Sequence, residues 1–329
     1  MPDLVLSLAI SPYDHVGDLL RGRVRAEGIS LTVVELPVEE IFFRMTAFSE
    51  WDIAEFSMAK YVSLVGAGAP PFRAIPAFPS RAFRQSAVYV ATRVGLQHPQ
   101  QLAGRRVGIP EWAQTAGIYA RAYLQHQCGV RLQDICWVQA GVNQPGRVEK
   151  VTLSLPEGVT IERIADRSLT DMLLAGDLDA MISAREPSAF VARDPRIARL
   201  WPDYRALEEA YYLESGIFPI MHVVVIKQST FDRHPWIAMN LFKAFEEAKN
   251  NSVDRLVSSV RPQMPMPWCH HAAREAQKLF GDDCWPYGIE SNRTTLEAFV
   301  RYCYEQGATA RHLRIEELFP REVTQFFKI

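Results

Sequence analysis

Two periods of apolar residues take turns along the N-terminal part of the chain. Residues 4–10 (LVLSLAI), 29–36 (ISLTVVEL) and 51–57 (WDIAEFS) read as strands, alternating or rich in β-branched positions. Between them, 16–24 (VGDLLRGRV) reads as a helix stopping near Gly28. Residues 38–48 (VEEIFFRMTAF) have the i, i+3, i+4 spacing of an amphipathic helix. Strand, helix, strand, helix, strand implies a parallel sheet, and ligands bind at the carboxyl ends of such strands. Pro70, Pro71, Pro76 and Pro79 then break the pattern, and 86–92 (SAVYVAT) reads as a buried strand crossing out of a first lobe.

The same alternation starts again beyond it. Residues 102–110 (LAGRRVGIP) form a turn and strand, 116–129 (AGIYARAYLQHQCG) a helix closed by Gly129, and 135–140 (ICWVQA) a strand. Residues 169–187 (LTDMLLAGDLDAMISAREP) give a helix, a C-cap at Gly176 and a strand ending at Arg185. The apolar strand 218–226 (FPIMHVVVI) returns the chain to the first lobe. Pro235 fits the first turn of a helix with Ile237, Leu241, Phe242, Phe245 and Ala248 on one stripe. A last helix starts at 291–297 (SNRTTLE), where Thr294 and Glu297 have capping-box spacing. The expected architecture is an α/β clamshell, each lobe a mostly parallel sheet flanked by helices. Residues 1–88 plus 223–329 form lobe I, 89–222 form lobe II, and the ligand cleft lies between them.

Composition narrows the function classes. A chain of 329 residues, 48% hydrophobic, is long enough for two lobes. Its 36 Lys and Arg balance 38 Asp and Glu, which gives no support for a nucleic-acid or anionic-membrane partner. The start, MPDLVLSLAIS, carries Asp3 and no basic segment, so it reads as a strand rather than an export signal. Residues 216–226, the longest nearly uncharged apolar run, fall short of the roughly 20 residues that a membrane helix needs. A soluble, cytoplasmic protein is expected. Cysteines at 128, 136, 269, 284 and 303, without a C-x-x-C pair, are expected to be buried free thiols.

The junction in GIPEWAQTAGIYARAYL (108–124) joins a strand stopping at Pro110 to a helix starting near Thr115. Free backbone N–H groups and a helix dipole there suit a carboxylate or phosphate; the alternative is that Glu111 and Thr115 only cap the helix. Neither G-x-G-x-x-G nor a G-K-S/T loop is present, so a nucleotide enzyme is not supported.

LAGRRVGIP followed by MLLAGDLDAMISAREP is similar to the second lobe of type II periplasmic-binding-protein-like folds. Over essentially its whole length the chain resembles the 4,5-dihydroxyphthalate decarboxylase family. The segments that carry this are FFRMTAFSEWDIAEFSMAKYV, PAFPSRAFRQSAVYV, GIPEWAQTA, SAREPSAF, GIFPIMHVVVI, HPWIAMNLFKAFEEAK and WPYGIESNRTTLEAFVRYCYEQG. The resemblance implies a carboxy-lyase that removes one carboxylate from 4,5-dihydroxyphthalate without oxidation, giving protocatechuate and carbon dioxide.

That substrate is a dianion and needs cationic clamps. Arg81 and Arg84 in PSRAFRQS, Arg185 in SAREP and Arg293 in SNR are the candidates, together with Gln114, Thr115 and the junction amides. A base must take the proton from the ring hydroxyl para to the departing carboxylate, and an acid must protonate the ipso carbon. His222 is the leading candidate for one of these tasks, with Glu55 and Glu111 as the other titratable groups and no role assigned among them. Tyr13 and Asp14 follow the first strand, where ligands are met. Ser57, Ser80 and Ser86 are candidate partners of the catechol oxygens, and Trp112 and Trp268 are candidate ring stackers. PWCHH places Cys269, His270 and His271 together, yet adjacent histidines face apart on a regular element. No cofactor is required by this reading, and a divalent metal on Glu55, Glu111 and His222 stays open. The alternatives are a lyase of another hydroxylated aromatic acid and a non-catalytic binding protein. The apolar C-terminal EELFPREVTQFFKI points to a homo-oligomer.

Overall fold

The computed structural model describes residues 2–68, 70–260 and 264–323. The chain opens with β1 (Leu4–Ile10), a short α1 (Gly17–Leu20), β2 (Ile29–Glu35), α2 (Val38–Phe48), β3 (Ile53–Ser57), α3 (Met58–Gly66) and β4 (Phe72–Arg81). Next come β5 (Val88–Ala91), β6 (Arg106–Ile109), α4 (Thr115–His126), β7 (Cys136–Gly141), β8 (Ile161–Ser168), α5 (Leu169–Ala175) and β9 (Ala180–Ile182). They are followed by α6 (Ser188–Val191), β10 (Ile197–Arg199) and α7 (Tyr204–Ser215). The last part holds β11 (Ile220–Lys227), α8 (Gln228–Arg233), α9 (Ile237–Val257), α10 (Cys269–Phe280) and α11 (Arg293–Glu305).

Two sheets result. The first runs β2-β1-β3-β11-β4, with β1 parallel to β2 and β3, and β11 antiparallel to both of its neighbours. The second runs β10-β5-β9-β6-β7-β8; its four central and outer strands β9, β6, β7 and β8 are parallel, while β5 pairs antiparallel on both sides. Because β5 lies wholly in the second sheet and β11 wholly in the first, the two crossings fall at 82–87 and 216–219. Ile220, Met221 and His222 therefore belong to lobe I, a correction to the boundary read after His222.

Other corrections have local causes. Pro76 and Pro79 do not interrupt β4, because it is an edge strand with a shifted register against β11, where a missing N–H is tolerated. The helix expected over 16–24 stops at Leu20: the Arg23 and Val24 amides fold back on the Asp18 carbonyl, and Gly22 takes a φ of 69°. At α11 the residue before the helix is Asn292, and Glu297 approaches Arg293 at 3.7 Å instead of closing a capping box.

Burial explains the hydrophobic pattern. Val223 to Ile226 are fully buried because β11 is a central strand covered on both faces. The α9 stripe of Ile237, Leu241, Phe242, Phe245 and Ala248 is buried as expected. From the second lobe, α4 sends Ala116, Ile118, Tyr119 and Ala122 into the core of the first. Leu318, Phe319 and Val323 also join that core, so the described part of the apolar C-terminal stretch packs within the chain; 324–329 lie outside the described residues. All five cysteines are free, Cys269 and Cys303 buried, Cys128 and Cys284 partly so, and Cys136 exposed. Among the described residues no helix is long and apolar enough to cross a membrane.

Gly307, just past α11, ties this end of the chain to the 151–155 segment. Its carbonyl accepts the Ser154 N–H at 2.8 Å, its φ is 71°, and a Cβ there would run into the Ser154 carbonyl. Gly307→Ala is expected to destabilise the fold by about 2 kcal/mol or more, read as a lower urea midpoint. An unchanged midpoint would show that the backbone yields at no cost.

Candidate active site

The register of β11 on β3 pairs His222 with Ser57 and Val224 with Glu55, so Glu55 and His222 are diagonal neighbours on one face. Glu55 is fully buried. Its Oε1 lies 2.6 Å from His222 Nδ1 and accepts the Tyr13 hydroxyl at 2.5 Å, while Oε2 accepts the Ser11 backbone N–H at 3.1 Å. Three donors on one carboxylate supply what a buried charge requires. Burial, and then the charge of Glu55, push the Tyr13 hydroxyl well above its ordinary value, so it remains a donor. With Nδ1–H turned to Glu55, the lone pair of His222 is on Nε2. The Phe42 ring holds the imidazole edge-on at 4.9 Å between centroids.

His222 lines an interlobe cavity of about 370 Å³, within the size range of small-molecule sites. Its other walls come from α2, from the β3–α3 junction, from the first crossing and from loops of the second lobe. Four cations line it, and two are paired. Arg147 donates from Nε to Glu111 at 2.6 Å, with Lys150 at 3.8 Å from the same carboxylate. Arg185 meets Glu39 at 2.5 Å, a bridge from the second lobe to α2 of the first. Lys60 and Arg84 have no ion-pair partner among the described residues. Lys60 is 7% exposed, and burial lowers its ammonium from 10.5 to about 8, helped by Lys150 and Arg147 and opposed by Glu111. The Arg84 guanidinium donates from Nε to the Met221 sulfur at 3.1 Å.

At the junction before α4, the Trp112 and Ala113 amides donate to the Glu149 carboxylate at 2.5 and 3.3 Å. The chain's own anion thus occupies amides expected to meet a ligand. Thr115 Oγ1 accepts the Ala59 N–H at 3.0 Å and lies 3.1 Å from Ser57 Oγ, which joins the two lobes. Gln114 lines the cleft, and its Oε1 is buried without a partner.

No family model matches the chain. The 4,5-dihydroxyphthalate decarboxylase of Comamonas testosteroni is 35% identical over 330 aligned positions, covering 100% of both chains. The chain belongs to the 4,5-dihydroxyphthalate decarboxylase family. The Pseudomonas putida protein of that name is 35% identical over 213 positions, 64% of this chain and 83% of the relative. Among solved structures, the periplasmic aliphatic sulphonate binding protein SsuA from Escherichia coli matches with a TM-score of 0.56 at 12% identity, covering 98% of this chain and 99% of that one. The desulfurization enzyme DSZB matches with a TM-score of 0.52 at 15% identity, covering 96% and 97%. At such identities the match is one of fold, the periplasmic-binding-protein-like clamshell.

Family membership leaves each residue to be placed by the structure. His222, Glu111, Arg84, Arg185, Ser57, Gln114 and Thr115 line the cleft, and Glu55 and Tyr13 stand behind His222. Ser80 bonds the Tyr13 side chain. Arg81 does not line the cleft: its buried guanidinium donates to the Phe218 carbonyl at 3.0 Å, the Pro286 carbonyl at 2.6 Å and the Asn292 side chain. Trp112 is fully buried, donating from Nε1 to the Gln306 carbonyl at 2.6 Å beneath the Arg121 guanidinium, so it is no ring stacker. Ser86 donates its amide to Glu208, and Asp14 is exposed outside the cleft. Arg293 is held by Glu290 and Glu316 at a separate cavity, and Trp268 is exposed ahead of α10. Glu111 is engaged by Arg147 while Glu55 and His222 hold each other; among the described residues no group of three or more His, Cys, Asp or Glu is placed to hold a metal ion. Sequence reasoning missed Lys60, Arg147, Glu39 and Phe42. The first lies in the first turn of the helix after a strand end, a usable signal; Arg147 sits in a stretch with no periodicity.

The two arginines of PSRAFRQS separate by stability. Arg81→Met is expected to cost about 3 kcal/mol in urea unfolding, because it orphans buried acceptors, whereas Arg84→Met stays within about 1 kcal/mol. Equal losses would refute this division.

Proposed function

We propose that the chain is a carboxy-lyase converting 4,5-dihydroxyphthalate to protocatechuate and carbon dioxide in the interlobe cleft. The observation that supports it best is the Glu55-held His222 facing a cationic cleft, in a chain related end to end to an enzyme of that name. A binding protein needs the cations and has no use for an oriented base.

In this reading the two carboxylates lie against Lys60 and Arg84, the cleft cations with no ion-pair partner among the described residues. His222 Nε2 accepts the proton of the hydroxyl para to the departing carboxylate, and Glu55 stabilises the imidazolium as it forms. The phenolate pushes its electron pair into the ring, the ipso carbon gains a proton, and the carbon–carbon bond to the carboxylate breaks. That bonding pair restores the aromatic ring as carbon dioxide leaves, and the phenolate recovers its proton from His222. One proton replaces one carbon dioxide, so no oxidant is consumed.

Incubation of the purified protein with 4,5-dihydroxyphthalate, followed by chromatography, is expected to give equimolar protocatechuate and carbon dioxide. His222→Asn should lower kcat by about 10²–10⁴-fold, while calorimetry with phthalate, which has no hydroxyl to lose a proton, should show a Kd changed less than about threefold. No product from the wild type would reject the reaction, and full turnover by His222→Asn would reject the base.

A further inference from the structure

Loss of carbon dioxide from an aromatic ring requires a proton at the ipso carbon, and a base holding the hydroxyl proton at the para position cannot reach it. A second titratable group must face the same cleft from another point. Lys60 does so. It sits in the first turn of α3, directly after the strand that carries Glu55. Its Nζ is 5.9 Å from the centroid of the Phe42 ring, the ring that also braces His222. The groups around it are Glu39 and Phe42 on α2, His222 on β11, and Glu111, Arg147, Glu149 and Lys150 from the second lobe. Yet no carboxylate pairs with it among the described residues: Glu111 is taken by Arg147, Glu39 by Arg185, and Glu149 by the Trp112 and Ala113 amides. A buried ammonium left without an ion pair is costly for the fold, and such groups concentrate at functional sites.

We propose that Lys60 is the general acid that delivers the proton to the ring carbon losing carbon dioxide. The assignment rests on the decarboxylase reading. An N–H bond of the ammonium breaks as the ipso C–H bond forms; the bond to the carboxylate then breaks, its electron pair returns to the ring, and the neutral amine is reprotonated by water. Burial lowers Lys60 to about 8, which makes it a competent acid near neutral pH. An arginine at the same place keeps its proton.

The test compares Lys60→Arg and Lys60→Met with the wild type in steady-state kinetics over pH 6 to about 10. The wild-type kcat is expected to fall on the alkaline side as Lys60 loses its proton. Lys60→Arg keeps the charge that meets a carboxylate, so its KM should stay within about threefold while kcat drops at least about 100-fold and the alkaline limb disappears. Lys60→Met should lose kcat and raise KM together. Retention of kcat within about tenfold by Lys60→Arg, with the alkaline limb in place, would reduce Lys60 to a carboxylate anchor and overturn the proposal. Should neither variant fold, absence of an alkaline limb in the wild-type kcat overturns it as well. A wild type that forms no protocatechuate rejects the decarboxylase reading instead, so the two failures are distinguishable.

Discussion

Insertion of β11 antiparallel between β3 and β4 places His222 opposite Ser57 and diagonal to Glu55, and the chemistry of the cleft follows from that register. Slipping the strand by one residue would turn His222 to the opposite face and leave Glu55 with a buried charge and one donor fewer. The register is held by Val223 to Ile226, all fully buried between two neighbouring strands. Where β4 carries Pro76 and Pro79, the pairing is irregular, and β4 can absorb this because among the described residues no further strand pairs with it.

The second constraint is the way the lobes are joined. Trp112, Arg121 and Gln306 form a fully buried polar knot: Arg121 donates from Nε to Gln306 Oε1 at 2.9 Å, its guanidinium covers the Trp112 ring at 3.9 Å, and Gln306 Nε2 donates to the Ile118 carbonyl at 2.9 Å. Together with the Thr115 bonds to the β3–α3 junction, it fixes the start of α4 against the first lobe. The junction that reads in sequence as an anion site thus serves as an interlobe fastening, its Trp112 and Ala113 amides already satisfied by Glu149. Cations of the cleft divide in the same spirit. Arg147 and Arg185 are held by carboxylates of the chain, whereas Lys60 and Arg84 have no ion-pair partner among the described residues.

On a scaffold shared with solute-binding proteins, what would separate the proposed reaction from capture is an oriented base. A clamshell closes on its ligand with clamps alone. Glu55 is buried, accepts three donors and positions one imidazole nitrogen, an arrangement whose consequence is a defined lone pair at the cleft. Family membership and this geometry support the same reading from independent directions.

Much of this was legible from residue order. Periodicity identified β1, β2, β3, α2, α4, α5 and α9, because amphipathic faces and buried strands leave local signals. The odd, unspaced cysteines excluded a disulfide framework. The alternation and its two crossing strands gave the clamshell, family resemblance carried by long segments gave the reaction, and His222 and Glu55 were both singled out as titratable groups at strand positions. Burial of Arg81 and Trp112 was not legible, since their partners at 286, 292, 218 and 306 are remote in sequence and one arginine looks like another until its acceptors are known. The unpaired state of Lys60 was hidden for the complementary reason: such a cation is defined by carboxylates that other residues, Arg147 and Arg185 among them, have already taken. Sequence by itself determined the elements and the kinds of chemistry available, because these depend on neighbours within a few positions. Tertiary structure alone decided which groups meet, because the β11 register and the interlobe fastening are set by burial between segments remote in sequence.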